Sequence, residues 1–377
     1  MITKIEIENF KSIEKAEINL SNLNILIGPN GAGKSNLIDC FRFLKEILIY
    51  SEFKRRFDEI VFNSEIKRKV KIHLYGKYND KPWEYLIQIK GDERRECILA
   101  KEELKYDNEN YIIYPAENNT AEIKTQSGKP KMSYQGTLFL YFAKHEYWEF
   151  SWILHQFIKN WLIFFLYPES LKKISEIKKI DHFKEKGDLF SSYIHHLFTR
   201  YPEHFKELLD YMKEVFTEIE NIKIEIIEGK PALCYLLFKE KEIENEIPQW
   251  NYSDGILAFF AFASLLYSPF EHPLILIEEP ENYIHHSKWI HLADIFMNLA
   301  EKSRLIITTH SPYFLNHFSP ENVFVVKKYK GRTKFIKAID IKGIRKALKE
   351  FRLGEIWYSK ELEVEDEKEG NNYDCRR

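Results

Sequence analysis

Residues 28–35 read "GPNGAGKS", and no other stretch of the chain narrows its fold so far. The run "LNILIG" leading into it is a short apolar strand candidate, and "NLIDCFRFLKEILIY" after it repeats apolar residues at helical spacing. A G-x-x-x-x-G-K-S pattern between a strand and a helix is a phosphate cradle. Its glycines let backbone N–H groups curl around an anion with no Cβ in the way. Lys34 is expected to reach the β- and γ-phosphates of a nucleotide, and the Ser35 hydroxyl to ligate Mg²⁺. Asn30, Gly31, Ala32, Gly33 and Asn36 are the remaining expected nucleotide contacts. A strand that feeds a helix through such a loop implies an α/β fold.

A magnesium-dependent loop of this kind also needs an acid at the end of a neighbouring strand. "LILIEE" supplies four buried apolar residues and then Glu278 and Glu279. Glu278 is expected on the magnesium side, and Glu279 as the general base that orients and deprotonates the attacking water. Two acids at a strand end often form only a solvated edge, and the phosphate loop is what favours the catalytic reading. "RLIITTHSP" is a further strand ending in Thr308, Thr309 and His310. A lone histidine after a strand is commonly structural. Some thirty residues after an acidic pair, it is expected to sense the γ-phosphate. "NYSDGILAFFAFASLLYSP" raises a separate question, because a helix apolar all round begins with a small polar turn. Ser253 or Asp254 can simply cap it. The alternative is a helix N-terminus aimed at an anion.

Elsewhere the chain alternates between patterns. "KIEIENF" and "AEINL" read as strands, and period-two runs from about residue 70 to 143 ("VKIHLYG", "WEYLIQIKG", "YIIYP", "TLFLYFA") predict an antiparallel sheet with turns at Gly76, Gly91 and Gly128. Residues 144–220 read as helical, including "HFKELLDYMKEVFTEIENI", before the strand pair "IKIEIIEG" and "LCYLLFKE". The expected division is a first ATPase lobe over 1–143, a helical insertion over 144–220, a second lobe over 221–355, and a charged, disordered tail over 356–377. With 56 Lys+Arg against 58 Asp+Glu, a globally basic nucleic-acid binder is not indicated. Cys40, Cys97, Cys234 and Cys375 form no CxxC pair, which argues against a zinc site and suits a reducing cytoplasm. The most membrane-like window, 152–167, carries His155, Lys159 and Asn160 and is too short to span a bilayer.

Together these residues resemble the RecF/SMC-like branch of ABC-type ATPases, and more closely its stand-alone subgroup of predicted AAA-family ATPases. "IEIENFKSIEKAEINL" resembles the family's first hairpin, with Phe10 and Lys11 on its Phe-Arg/Lys pair. "SDGILAFFAFASLL" is similar to its signature helix, and "EFRLGEIWYSKEL" to the subgroup's closing segment. The chain departs where Glu278 replaces the usual aspartate, and where Tyr283-Ile284-His285-His286 replaces Gly-Leu-His-Pro. The resemblance implies a P-loop head with an antiparallel β lobe and a helical insertion. It also implies a homodimer closed around ATP and Mg²⁺, in which Ser253 and Gly255 bind the γ-phosphate held by the opposite protomer.

About 220 residues separate Ser35 from Ser253, too many for a transporter subunit, and 144–220 is too short for a chromosome-structural coiled coil. Two main readings remain, beside a minor one in which the chain is a slow ATPase with no partner. In one, the ATPase is a switch in antiphage defence that controls a separate effector, a TOPRIM-like nuclease or a toxin, since no TOPRIM-style acidic cluster follows residue 340. In the other, it is a RecF-like ATPase of repair or recombination that binds DNA through "IKRKVKIH" (66–73) and "VKKYKGRTK" (326–334).

Overall fold

Ile2, Ile5, Ile7 and Phe10 are all buried, and this one-sided pattern sets the strand β1 (Ile2–Phe10) into the first sheet of the computed structural model. β1 pairs antiparallel with β2 (Ile13–Asn19) on one side and β4 (Val70–Tyr78) on the other. The sheet continues through β5 (Lys81–Gly91), β6 (Cys97–Tyr106), β7 (Glu109–Tyr114), β8 (Ala121–Ile123) and β9 (Lys131–Met132). The structure describes residues 1–50, 54–114, 121–123, 131–132 and 149–359. The predicted strand "TLFLYFA", the turn at Gly128, Cys375 and the tail from residue 360 therefore lie outside the described residues.

The predicted turns at Gly76 and Gly91 are corrected. Both glycines sit inside paired strands, Gly76 opposite Trp83 and Gly91 opposite Cys97. The chain reverses at Asn79-Asp80 between β4 and β5, at residues 92–96 just beyond Gly91 between β5 and β6, and at Asp107-Asn108 between β6 and β7; the four Asn and Asp residues of the first and last turns have positive φ between 49° and 62°. Two consecutive left-handed residues form the hairpin turn whose twist matches that of the flanking strands, and Asn and Asp adopt it most readily after glycine.

Two compact units emerge, Met1–Trp161 with Phe324–Lys337, and Leu162–Val323 with the chain from Ala338 onward. Besides the antiparallel sheet, the first unit holds β3 (Leu23–Ile27), buried at every residue, beside β17 (Val323–Tyr329), which pairs antiparallel with β18 (Arg332–Lys337). Its helix α1 (Lys34–Tyr50) buries Leu37, Ile38, Phe41, Leu44 and Leu48, the apolar stripe expected of a helix against a sheet. Phe41 meets the edge of Trp161, two residues beyond α2 (Glu149–Lys159).

In the second unit three parallel strands lie side by side: β10 (Leu162–Phe164), β15 (Leu274–Glu278) and β16 (Arg304–Thr309). Their near-continuous apolar runs suit strands covered on both faces. The segment expected to be helical therefore contributes the edge strand β10, three residues too short to show a period of its own, as well as β11 (Ser175–Glu176). It also holds α3 (Phe190–Arg200) and α4 (Pro202–Val215). The helix predicted to run on through "FTEIENI" stops at Val215, and β12 (Ile219–Ile227) begins four residues later. Its isoleucines at 219, 222, 224 and 226 favour a strand, and pairing with β13 (Leu233–Glu240) fixes it there. β11 and β14 (Ile247–Pro248) also pair with β13. The opening helix is α5 (Asp254–Leu266), buried from Leu257 to Leu265, and α6 (Trp289–Lys302) bridges the parallel strands β15 and β16. Short helices follow, among them α7 (Pro312–Leu315) and α8 (Leu353–Tyr358). Among the described residues no helix is long and apolar enough to cross a membrane.

Candidate nucleotide site

Residues 28–36 lie in the first unit, whereas Ser253, Gly255, Glu278, Glu279 and His310 lie in the second. In the first, Gly31 and Gly33 take φ of 75° and 104°, values that side chains rarely adopt. A Cβ on Gly33 would also sit 2.1 Å from the Thr333 hydroxyl. α1 starts at Lys34 with no acidic residue in its first turn, leaving its positive end uncompensated. Lys34 is only 5% exposed, and its Nζ donates to the carbonyls of Gly28 (2.6 Å) and Pro29 (3.2 Å). Asn30, Gly31 and Ser35 are exposed around it, and Ala32 is buried. A glycine-lined loop, an ammonium and an exposed serine at a helix start fit a nucleotide's phosphates and their magnesium.

The loop is braced from outside by residues that the sequence did not single out. Asn36 Nδ2 donates to Ser12 Oγ at 2.5 Å, the Ser12 and Thr333 hydroxyls are 2.6 Å apart, and Thr333 Oγ1 donates to the Ala32 carbonyl at 2.8 Å. A carbonyl only accepts, so Thr333 gives its single proton to Ala32 and Ser12 must donate to Thr333. The protons thus all run one way, from Asn36 through Ser12 and Thr333 to the loop. Lys11, of the expected Phe-Lys pair, has φ of 49° and an ion pair to Asp39 at 2.5 Å, which Arg42 and Arg55 also engage. Burial pushes the Asp39 carboxyl up, but the hydrogen bonds from Lys11 and Arg55 outweigh it and hold its pKa below the ordinary value.

In the second unit β15 ends at Glu278, half-buried and in register with Thr308. Glu279 turns away from the strand with φ of 48°, and its N–H donates to the Thr308 carbonyl at 3.0 Å. Its carboxylate is shared. Oε1 lies 2.8 Å from His310 Nε2, and Oε2 accepts from Asn282 Nδ2 at 2.9 Å. The predicted base and the predicted phosphate sensor are therefore in contact. Glu281 lies beneath them, its Oε1 bonded to the Thr309 hydroxyl and accepting the His310 N–H at 3.3 Å. Burial raises its pKa, against the hydrogen bond from Thr309.

Ser253 stands at the N-cap of α5, exposed, and its side chain makes no capping hydrogen bond. Asp254 forms an ion pair with Lys172. A Cβ on Gly255 would lie 2.5 Å from the Tyr283 carbonyl, so the turn after Glu279 passes directly against the start of α5. This packing is a second reason for glycine there. Gln249, just ahead of this turn and fully buried, was also missed. It accepts from Ser191 (2.8 Å) and the Leu236 N–H (2.6 Å), and donates to the carbonyls of Leu171 (3.2 Å) and Lys173 (2.7 Å).

Residues 23–316 match the model of the family described as "AAA domain, putative AbiEii toxin, Type IV TA system". The chain belongs to this family. It is 28% identical over 138 residues to the chromosome partition protein Smc of Methanococcus voltae, a match covering 35% of this chain and 11% of that one. It is 23% identical over 337 residues to the endonuclease GajA of Bacillus cereus (strain VD045), covering 83% of this chain and 56% of that one. The chain thus spans a small part of the first relative and little more than half of the second. Among solved structures, an Smc head bound to the C-terminal winged-helix domain of ScpA superposes with a TM-score of 0.53 at 15% identity, covering 89% of this chain and 96% of that one. The fold is that of an SMC-like, ABC-type head.

Proposed function

We propose that the chain is a cytoplasmic, ATP-hydrolysing switch that closes as a homodimer around ATP and Mg²⁺ and controls a separate effector, a nuclease or toxin, in antiphage defence. The contact between Glu279 and His310 carries the hydrolytic reading, because it joins an acceptor for a water proton to a donor for a phosphate oxygen at the end of one strand pair. In this reading Lys34 and the N–H groups of residues 30–36 bind the phosphates, and Ser35 and Glu278 hold the metal. Bound Mg²⁺ supplies charge neutralisation at the β- and γ-phosphates. Glu279 takes the proton of the attacking water on its carboxylate, and His310, whose Nε2 lies against Glu279, senses the γ-phosphate. Ser253, whose hydroxyl makes no capping bond, and Gly255 complete the partner subunit's site at the positive end of α5. An effector role agrees with the toxin in the family's description and the endonuclease in a relative's name.

Glu279→Gln should bind ATP normally yet lose on the order of 10²–10⁴ in turnover. Turnover at the wild-type rate would remove Glu279 as base. Mixing Ser253→Arg with Lys34→Ala subunits should restore one working site per heterodimer, and no recovery at all would count against trans action.

A second reading, duplex DNA binding, has one supporting feature. Lys328, Lys330 and Lys334 are exposed on the β17–β18 hairpin, where Arg332 pairs with Glu14, and in the other basic stretch Arg68 pairs with Glu14 and Glu65 and Lys71 with Glu8. DNA affinity that falls steeply with salt and is lost on Lys330→Glu/Lys334→Glu would favour it.

A further inference from the structure

We infer that Glu281 is a positioning residue of this site, holding the backbone of His310 so that the imidazole is presented to Glu279 and to the γ-phosphate. The inference rests on the hydrolytic reading above and names a residue to which that reading gives no role. Glu281 is 7% exposed, the most buried acid of the 278–281 run. One oxygen does all its visible work. Oε1 accepts from the Thr309 hydroxyl and the His310 N–H, and Thr309 Oγ1 in turn accepts the Ser311 N–H at 2.9 Å. The peptide on each side of His310 is therefore tied, directly or through Thr309, to one carboxyl group. Oε2 is buried and makes no hydrogen bond.

A carboxyl is costly to bury with half its capacity unused, and an apolar side chain would serve packing better. Its placement is instead accounted for by what it fixes. β16 ends at Thr309, so His310 is the first residue no longer held by the sheet ladder. Ser311 then caps α7 by accepting the Phe314 N–H at 3.1 Å. Between these two anchors the Glu281 side chain holds the His310 backbone by accepting its N–H. It holds the backbone and not the ring, whose Nε2 lies 2.8 Å from Glu279 Oε1. The same acid also belongs to the 279–284 turn, where the Ile284 N–H donates to the Glu281 carbonyl at 3.2 Å. Base and sensor are thus set against each other by one residue that touches neither reacting atom.

The test compares Glu281→Ala, Glu281→Gln and Thr309→Val in the full chain, by ATP turnover and by hydrogen exchange over residues 306–314. Glu281→Ala and Thr309→Val should lower kcat by about 10- to 100-fold, the scale of a misplaced catalytic group, with KM for ATP changed less than about twofold. Exchange over 306–314 should quicken in both. Glu281→Gln keeps an oxygen acceptor of the same shape and should retain kcat within about threefold and exchange at the wild-type rate. The inference is overturned if Glu281→Ala keeps wild-type kcat, if Glu281→Gln is as slow as Glu281→Ala, or if kcat falls with exchange unchanged. Should Glu281→Ala fail to fold, Thr309→Val decides by the same criteria. If the wild-type protein turns over no ATP, the hydrolytic reading fails, while exchange still reports whether Glu281 holds the His310 backbone.

Discussion

Thr333→Val removes one hydroxyl from a side chain of nearly unchanged shape, and that hydroxyl is the last link in the brace behind the phosphate loop. Thr333 is 1% exposed, donates to the Ala32 carbonyl at 2.8 Å and lies 2.6 Å from Ser12 Oγ. Two hydrogen bonds at about 1 kcal/mol each are lost, and a carbonyl on a 2%-exposed residue is left unpaired. The total is about 2–3 kcal/mol. The Ala32 peptide belongs to the loop itself, so we expect most of this loss to appear as disorder that the nucleotide must correct on binding. About 2 kcal/mol corresponds to roughly 30-fold weaker affinity. Titration calorimetry with Mg²⁺–ATP and Mg²⁺–ADP measures it, and Thr333→Ser, which keeps the hydroxyl, should stay within about threefold. If Thr333→Val binds both nucleotides within twofold of wild type while its thermal midpoint drops, the brace supports the fold and not the loop.

Three further predictions follow from single residues. Glu279 pays about 1 kcal/mol for its left-handed backbone, a conformation that Asn tolerates, so Glu279→Asn should be about 1 kcal/mol more stable to urea than Glu279→Ala, both lacking hydrolysis; equal stability would remove the strain. Gln249→Leu strands two carbonyls, an N–H and a hydroxyl in the second unit and should destabilise it by about 4 kcal/mol, readable as a lower urea midpoint. Asp39 has a depressed folded pKa, so its contribution is complete above the unfolded value near 4 and is lost as pH falls through the folded value. Stability measured from pH 5 to 2 should therefore fall less steeply in Asp39→Asn than in wild type.

What was legible in the sequence is what a single short segment encodes. The loop from Gly28 to Asn36, the acids closing β15 and the histidine after β16 each carry their own pattern, and each sits at a strand end as expected. What was not legible depends on partners far away in the chain. Ser12 and Thr333 are 321 residues apart, and nothing in the segment around either marks it as a partner of the other. β10 is a strand because Ile275, Leu276 and Ile277 lie beside it, 113 residues later, and three apolar residues alone carry no period. The reversals at Asn79-Asp80 and Asp107-Asn108 carry a local signal, two consecutive Asn or Asp residues that take positive φ where glycine is the commoner choice.

Gly255 shows where a motif can mislead even when its position is right. A glycine that lets a backbone N–H approach a phosphate and one that lets two backbones pass look the same in a sequence. Here the second demand is visible, since the Tyr283 carbonyl occupies the place where a side chain would begin. That carbonyl belongs to a left-handed residue, φ 69°, at the end of the turn that starts at Glu279. The turn is thus constrained at both ends, by strain at the base and by contact with α5. The Glu279 turn and the start of α5 thus meet at one backbone contact, between the residue expected to cut ATP and the turn expected to hold a second ATP. In the proposed homodimer, each site's chemistry would be felt at the other through Tyr283 and Gly255, with no additional element required.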